Sequence, residues 1–483
     1  MTSRKVHHRP SFTIRAGVLA AAVALGCAQA ATAHAETLMD AYRQALQSDP
    51  VLKQAEAQQR IGQAGAAISR APLLPQINGS AAFNDSHGTQ YNSTLIDTPS
   101  GPTFAPGSGQ IGHSSGRSRT NSVGLNQVLF DLGDFELWRA SKANARSTEA
   151  QYVAAQQDLI LRVATAYFTV LTDEDQLKYA RSNAASLKKQ MDQAQAKYDV
   201  GFAAITDVAD AKSAYDSAVA QVIAAKNLVF NDRQALEQIT GQKAGTLEVL
   251  TENLPLKSPE PNSINDWVTT ALASNPSLQA QRDLVASAQH GVTAAHAAHL
   301  PTLGASVSYS HNPSWQGPGI VTTGNSNLPS GFERVLRADS RSTDTTVGLV
   351  LTVPLFQGGG IIAREKQAIA QRDQANDMLE QDRRTTISNT RNAFNAIEAG
   401  ISSVEANKAA VESAKTALDA TQAGYEIGTQ TIVNLLIAQS AYFQALGTYS
   451  QARHALVINR LNLKYSAGTL SVNDLEAVNR LLQ

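Results

Sequence analysis

Cysteine is nearly absent. Of 483 residues only Cys27 carries a thiol, which excludes a disulfide framework, a Cys-ligated zinc site and a C-x-x-C redox pair. Aromatic residues make up 6% of the chain and charged residues 17%, with 40 basic side chains against 41 acidic ones. Proteins that neutralise nucleic-acid phosphates carry an excess of Lys and Arg, and no basic arm or stripe breaks this balance, which argues against nucleic-acid binding. Beyond the leader, no uninterrupted apolar run reaches the ~18 residues that a membrane helix needs. What is plentiful is Ala and Gln, in a chain long enough for two to four ordinary domains, and this points to long helices.

The first residues place Arg4, Lys5, Arg9 and Arg15 before the apolar run Ala16 to Leu25 and the small-residue site Ala33-His34-Ala35. That order is a secretory signal peptide over residues 1–35. The mature chain, 36–483, keeps 36 basic against 41 acidic groups, a net charge of −5, and no cysteine. Leu25-Gly26-Cys27 also resembles the end of a lipobox, but Ala24 stands where Leu is preferred, so an unlipidated start at Glu36 is expected. An exported chain of this kind is periplasmic, secreted, or inserted in an outer membrane as strands.

The sequence repeats itself at an offset of 226 to 227 residues. Ala45-Leu46 and Pro50 recur as Ala271-Leu272 and Pro276, and Leu74-Pro75 recurs as Leu300-Pro301. Farther on, Tyr198-Asp199-Val200-Gly201 recurs as Tyr425-Glu426-Ile427-Gly428. The two copies occupy 36–256 and 257–483, with the break at Lys257-Ser258-Pro259-Glu260-Pro261, where prolines interrupt any helix.

Each copy reads as helix, strand, long loop, strand, very long helix, turn, helix. Leu177, Ala180, Ala184, Leu187, Met191, Ala194 and Tyr198 alternate steps of three and four, a heptad seam. Val404, Val411, Ala414, Leu418 and Tyr425 repeat it, interrupted by Asn407 and Thr421. The spacing predicts long helices at about 133–200 and 361–427 and shorter ones at about 206–240 and 433–467. A helix of that greater length extends ~100 Å, and the half-length helices 36–70 and 206–240, stacked end to end, would form a second track beside it.

Strands are expected at about 75–84, 120–130, 301–310 and 346–356. Leu303, Ala305, Val307 and Tyr309 alternate with polar residues, as do Val347, Leu349, Leu351, Val353 and Leu355; Ile77, Ala81, Phe83, Val123 and Leu125 do so more weakly. The stretches 84–120 and 311–345, rich in Gly, Ser, Thr, Asn and Pro, read as mobile exterior loops. Four strands cannot close a barrel, and open edges in lipid leave backbone groups unsatisfied. If these strands span a membrane, the chain oligomerises, in two, three or more copies, and Leu303, Val307, Leu349, Leu351 and Val353 face lipid.

Two other patterns carry little chemistry. Gly358-Gly359-Gly360-Ile361-Ile362-Ala363 fits a dinucleotide fingerprint, with Glu380 downstream, but no second parallel strand follows it. His290, His296 and His299 gather near a helix end, but no neighbouring carboxylate in sequence completes a metal set. No Ser, His and Asp arrangement with motif support exists, so a non-enzyme without cofactor or metal is expected.

Ser69-Arg70-Ala71-Pro72-Leu73-Leu74-Pro75-Gln76, Ala164-Thr165-Ala166-Tyr167-Phe168, Ala204-Ile205-Thr206-Asp207-Val208, Pro354-Leu355-Phe356-Gln357-Gly358-Gly359 and Ala423-Gly424-Tyr425 with Gly428-Thr429 resemble the TolC family of outer-membrane channel proteins. The resemblance covers essentially all of 36–479. It implies a mixed, mainly α fold in which a homotrimer shares one barrel of twelve strands and its coiled-coil helices form a periplasmic tunnel. It further implies docking to an inner-membrane transporter through a periplasmic adaptor, for efflux of small toxic molecules or secretion of proteins. By the same resemblance Tyr425 and its partner Asp207 hold the periplasmic mouth closed. Gln430 stands where the prototype has Arg, and Asn434 and Ile437 stand where it has acids that bind cations; Asp207 and Asp210 supply acids at the matching height in copy one. A free-standing porin does not need such long helices, and a periplasmic adaptor bundle does not explain the oily-faced strands.

Overall fold

The computed structural model describes residues 35–92, 95–104, 110–252, 254–316, 319–321, 334–336 and 339–483. The expected signal peptide, except for Ala35, lies outside the described residues, Cys27 included. Copy one contains helices α1 (Leu38–Ser48), α2 (Pro50–Arg70), α3 (Leu132–Asp199) and α4 (Ile205–Thr240). Its strands are β1 (Gln76–Asn92), β2 (Leu95–Thr98), β3 (Gly101–Phe104) and β4 (Gln110–Phe130). Copy two repeats the plan with α5 (Ile264–Ser274), α6 (Pro276–Ala297), β5 (Thr302–Gln316), β6 (Gly319–Val321), β7 (Arg334–Leu336), β8 (Ser340–Thr352), α7 (Gly360–Glu426) and α8 (Ile432–Ser466). A last short helix, α9 (Val472–Asn479), follows.

The expected single helix over 36–70 is broken at Asp49-Pro50. Pro50 has no N–H to donate to the preceding turn, and the Asp49 carboxylate accepts from the Leu52 amide at 2.7 Å, restarting the helix as its cap. Copy two makes the same break with Asn275 accepting from the Leu278 amide at 3.2 Å and Pro276 behind it.

Helices α3 and α7 run the full length of the helical portion. Beside the sheet the packing order is α2, α3, α6, α7; at the far end it is α4, α3, α8, α7. Half-length helices therefore share tracks, as their lengths predict. At the joints the chain passes so close that side chains are excluded. A Cβ on Gly468 (φ +71°) would lie 2.5 Å from the Asn275 Cα, and one on Gly241 (φ +72°) would lie 2.9 Å from the Ser48 Cβ.

Three cores hold this arrangement. At the joints, Leu38, Leu159, Tyr167, Phe168, Leu236 and Leu475 are fully buried. The Tyr167 hydroxyl, burial of which pushes its pKa up, donates to the carbonyls of Glu36 (2.9 Å) and Glu248 (3.1 Å), tying the residues before α1 to those that follow α4. Phe394, 227 positions on, fills the matching core of copy two with Trp267, Ile397 and Leu456. The third core lies at the far end, where the heptad residues Ala184, Leu187 and Ala194 pack on Val208, Ala211, Ile432 and Leu436.

All four long strands form one antiparallel sheet in the order β1-β4-β5-β8. They extend well into the stretches expected to be loops: β1 reaches Asn92, β4 begins at Gln110, β5 ends at Gln316 and β8 begins at Ser340. Those extensions lack apolar alternation, and their pairing rests on backbone ladders, for example Asp85 opposite Arg117 and His87 opposite Ser115. At its other end β8 stops at Thr352, short of the expected 356, before Pro354, which cannot donate to a ladder. The sheet is antiparallel throughout, so the glycines at 358–360 have no βαβ setting and serve as the exit from strand to helix, Gly359 being the residue before α7.

Candidate functional site: channel wall and helical tip

Register decides which side chains share a face. Ile77 stands opposite Leu125, Leu125 opposite Val307, and Val307 opposite Val347. The neighbouring rungs put Val123 and Tyr309 together, Ala305 opposite Leu349, and Leu303 opposite Leu351. One face is thus apolar across all four strands and contains Leu303, Val307, Leu349 and Leu351. Val353 follows the strand end at Thr352 and is about half exposed. A register shift between Val128 and Phe130 keeps Phe130 on the same face, opposite Leu303. The other face presents Asn78, Ser80, Ser122, Ser306, Ser308, Thr346 and Gly348, with Val350 as an exception; Ser80 and Ser122 are joined at 2.8 Å. Leu349 and Leu351 are 72% and 64% exposed in the single chain, so nothing within the protomer covers the apolar face there. The outer edges of β1 and β8 are unpaired among the described residues.

At the far end of the helices lie the two turns that join α3 to α4 and α7 to α8. Tyr425 packs partly buried on the third core, and Lys197 Nζ sits 4.3 Å above its ring, a cation–π contact that sequence reasoning missed because the two are 228 positions apart. Asp207 is half-buried in the first turn of α4, and Asp210 is exposed one turn on. Among the described residues, no hydrogen bond joins Tyr425 to Asp207 within one protomer. Gln430 Oε1 accepts from Asn434 Nδ2 at 2.9 Å, and Ile437 is 62% exposed one turn farther along α8. Gln430, in the turn before α8, is exposed, and Asn434, Ile437, Ala441, Gln444 and Thr448 share the exposed stripe of that helix; none of the six is charged.

The histidines near the end of α6 do meet carboxylates, supplied from other helices. Glu136, only 6% exposed at its side chain, accepts from His290 Nδ1 at 2.7 Å. Glu365 lies 3.1 Å from His296 Nδ1 and 3.7 Å from His299 Nε2. Among the described residues no group of three is arranged to hold a metal. These contacts tie α6 to α3 and α7, and their partners, 154 and 69 positions away, leave no local trace in the sequence.

Amphipathic strands with open edges, set on helices about 100 Å long, define a channel-forming protein whose membrane portion is built of strands; no helix among the described residues is long and apolar enough to cross a membrane. The family described as "Outer membrane efflux protein" matches residues 41–242 and 267–469, one segment in each copy. Outer membrane protein TolC of Vibrio cholerae serotype O1 is 33% identical over 447 residues, covering 92% of this chain and 93% of that protein. Its namesake in Escherichia coli strain K12 is 32% identical over 450 residues, covering 93% and 85%. Alkaline protease secretion protein AprF of Pseudomonas aeruginosa is 28% identical over 443 residues, covering 91% and 86%. Among solved structures, the CmeC outer membrane channel of Campylobacter jejuni superimposes with a TM-score of 0.71 at 19% identity, covering 92% of this chain and 90% of that one. The chain belongs to the outer membrane efflux protein family. It is an outer-membrane channel with a long periplasmic helical portion, in a family of transport proteins.

Proposed function

We propose that three copies of this chain close one barrel of twelve strands, apolar faces toward lipid and polar faces lining a passive exit duct. The carrying observation is the four-stranded sheet with one apolar face and two unpaired edges. A lone copy leaves those edges unsatisfied in lipid, and no single-chain barrel of four strands exists. Outer membrane lipid then meets Leu303, Val307, Leu349, Leu351 and Val353. The chain supplies no engine and no reaction, so energy comes from an inner-membrane transporter reached through a periplasmic adaptor. Relatives named for protease secretion and for efflux support both cargo types, protein and small molecule.

The internal repeat supplies the register between subunits. An offset of 226 carries the observed pair Val123 and Tyr309 onto Leu349 and Phe83. Because the mature chain lacks cysteine, Phe83→Cys with Leu349→Cys introduces the sole thiols, which lie on opposite edge strands of one sheet. Oxidation is expected to yield covalent dimers and trimers on a denaturing gel. Monomers alone, or a ladder beyond three, would overturn the proposal.

At the tip, closure is proposed to bring the Tyr425 hydroxyl to Asp207 in the assembled channel, with Asp210, Gln430, Asn434 and Ile437 at the constriction. In the single chain, Lys197 over the Tyr425 ring already holds that side chain against the third core, ready for such a bond.

A further inference from the structure

Along the apolar face of the sheet, toward the ends of the strands remote from the helices, the chemistry changes on every strand. Beyond Phe83, β1 presents Asp85 and His87; beyond Val123, β4 presents Asn121, Arg119 and Arg117. Beyond Tyr309, β5 presents His311 and Trp315, and beyond Val347, β8 presents Thr345, Thr343 and Arg341. The boundary crosses the sheet obliquely, as it must where strands tilt through a layer.

Three arginines stand just past it. Arg119 and Arg117 are two residues apart on β4, about 7 Å. Arg341 lies two strands away, about 10 Å across the sheet, in the rung of Pro313. Among the described residues of the four paired strands one carboxylate lies on the same face, Asp85, which accepts from Arg117 Nε at 3.1 Å and meets His87 Nε2 at 3.3 Å; Asp339, just before β8, is exposed and not paired with Arg341. Arg119 Nε reaches only the neutral Asn121 Oδ1, at 3.2 Å, and among the described residues no carboxylate is paired with Arg341. All three side chains are exposed. Tyr309 and Trp315, 50% and 40% exposed, border the patch, and amphipathic rings of that kind collect where apolar and wet layers meet.

A cluster of guanidinium forks at the apolar boundary, carrying surplus positive charge, matches an anionic headgroup whose acyl chains continue along the apolar face. Arg is suited to this because its planar fork binds phosphate oxygens in pairs. The strand ends remote from the periplasmic helices meet the outer leaflet, whose phosphorylated lipid is a glycolipid. We infer that Arg117, Arg119 and Arg341 form a binding patch for the phosphate groups of that outer-leaflet glycolipid, with Tyr309 and Trp315 against its sugar and upper acyl region. The inference rests on the proposed lipid-facing orientation of the apolar face.

The test uses the detergent-purified mature channel, with bisphosphorylated lipid A as probe and its dephosphorylated form and phosphatidylglycerol as comparisons, bound lipid being counted by native mass spectrometry. Wild-type protein is expected to retain bisphosphorylated lipid A at least tenfold more than either comparison lipid. Arg117→Gln, Arg119→Gln and Arg341→Gln together are expected to abolish that preference, while the three Lys substitutions keep part of it. Equal retention of all three lipids by the wild type, which needs no variant to fold, overturns the patch. Equal retention of phosphatidylglycerol and lipid A overturns the glycolipid assignment. Failure of the orientation itself reads differently: the protein would then leave the membrane without detergent.

Discussion

The two copies share a backbone plan but not an electrostatic one. Asp49, Asp173, Asp207, Asp210 and Asp232 of copy one correspond to Asn275, Gly400, Asn434, Ile437 and Asn459 of copy two. At the first of these places the geometry is preserved while the charge is lost. Both residues cap a helix that begins with proline, but Asp49, 2% exposed, also receives two bonds from Arg162, at 2.9 and 3.2 Å. Asn275 instead donates to the Ser466 carbonyl at 3.1 Å, and Asn389 stands where Arg162 would. The backbone need for an acceptor at a helix start is thus fixed by the fold, whereas the charge is optional.

The largest test of equivalence lies in the sheet. Leu351 and Leu125 are repeat equivalents on the same apolar face. If both copies face lipid alike, Leu351→Arg and Leu125→Arg should each cost about 2 to 4 kcal/mol per chain near the bilayer midplane, multiplied by every copy in the barrel. Heat-resistant oligomer in purified outer membranes is expected to fall sharply for both. Normal assembly of only one variant would show that the copies meet different surroundings.

A smaller effect separates the caps. Although burial alone would raise it, Asp49 is held below the usual carboxylate range by Arg162 and the Leu52 amide. Asp49→Ala removes both of its bonds from Arg162 and leaves Asp158, at 2.6 Å, as the remaining partner of that guanidinium. A loss of about 3 kcal/mol is expected, the low end for a broken buried pair. Asn275→Ala should cost about 1 kcal/mol, the ordinary value of a lost cap. Equal shifts in the thermal midpoints of the two detergent-solubilised variants would deny the charge any role.

How much of this was legible beforehand follows the range of the interactions. The repeat, both long helices and the apolar face were readable, because heptad and period-two patterns are local. The sheet beyond the bilayer was not, since Ser, Gly and Thr at 84–92 and 110–120 carry no apolar mark and their order comes from ladders. The break at Asp49-Pro50 had its signal in plain sight, a capping residue followed by proline, within a stretch that otherwise reads as one helix. At the tip, Tyr425 was visible as the end of a seam, but Lys197 over its ring depends on how distant turns pack.

Acidity probes a third pair of equivalents. Burial pushes the Asp173 carboxyl up to about 7, assisted by a hydrogen bond with Asp232 and by that neighbour's charge. The native state therefore holds a proton that the unfolded chain, with an ordinary value of 3.8, has released. Its contribution to stability is fully present below that ordinary value and is lost as pH rises through about 7. Asp232→Asn, which installs the copy-two residue, should lower the Asp173 value and flatten the fall in thermal midpoint between about pH 5 and about pH 8. An unchanged slope would remove this pair from the pH response.

The smallest expected effect concerns the tip, where the copies differ most in charge. Asp207 and Asp210 match Asn434 and Ile437, so the constriction proposed here carries acids from copy one alone. A bond between the Tyr425 hydroxyl and the Asp207 carboxylate is worth about 1.5 to 3 kcal/mol if shielded and less if wet. Repeated around the assembly, it is enough to bias a two-state equilibrium toward closed. Gln430 spends its side-chain oxygen on Asn434 and brings no charge to Asp207, so in the proposed closure Tyr425 carries the contact to Asp207. Tyr425→Phe with Asp207→Ala is expected to raise single-channel conductance in planar bilayers several-fold. Divalent cations should block the wild type only weakly, because Asn434 and Ile437 offer no carboxylate, and the remaining block should vanish in Asp210→Asn. Conductance unchanged in the double variant would dismiss the gate, and strong block surviving Asp210→Asn would place the constriction on other residues.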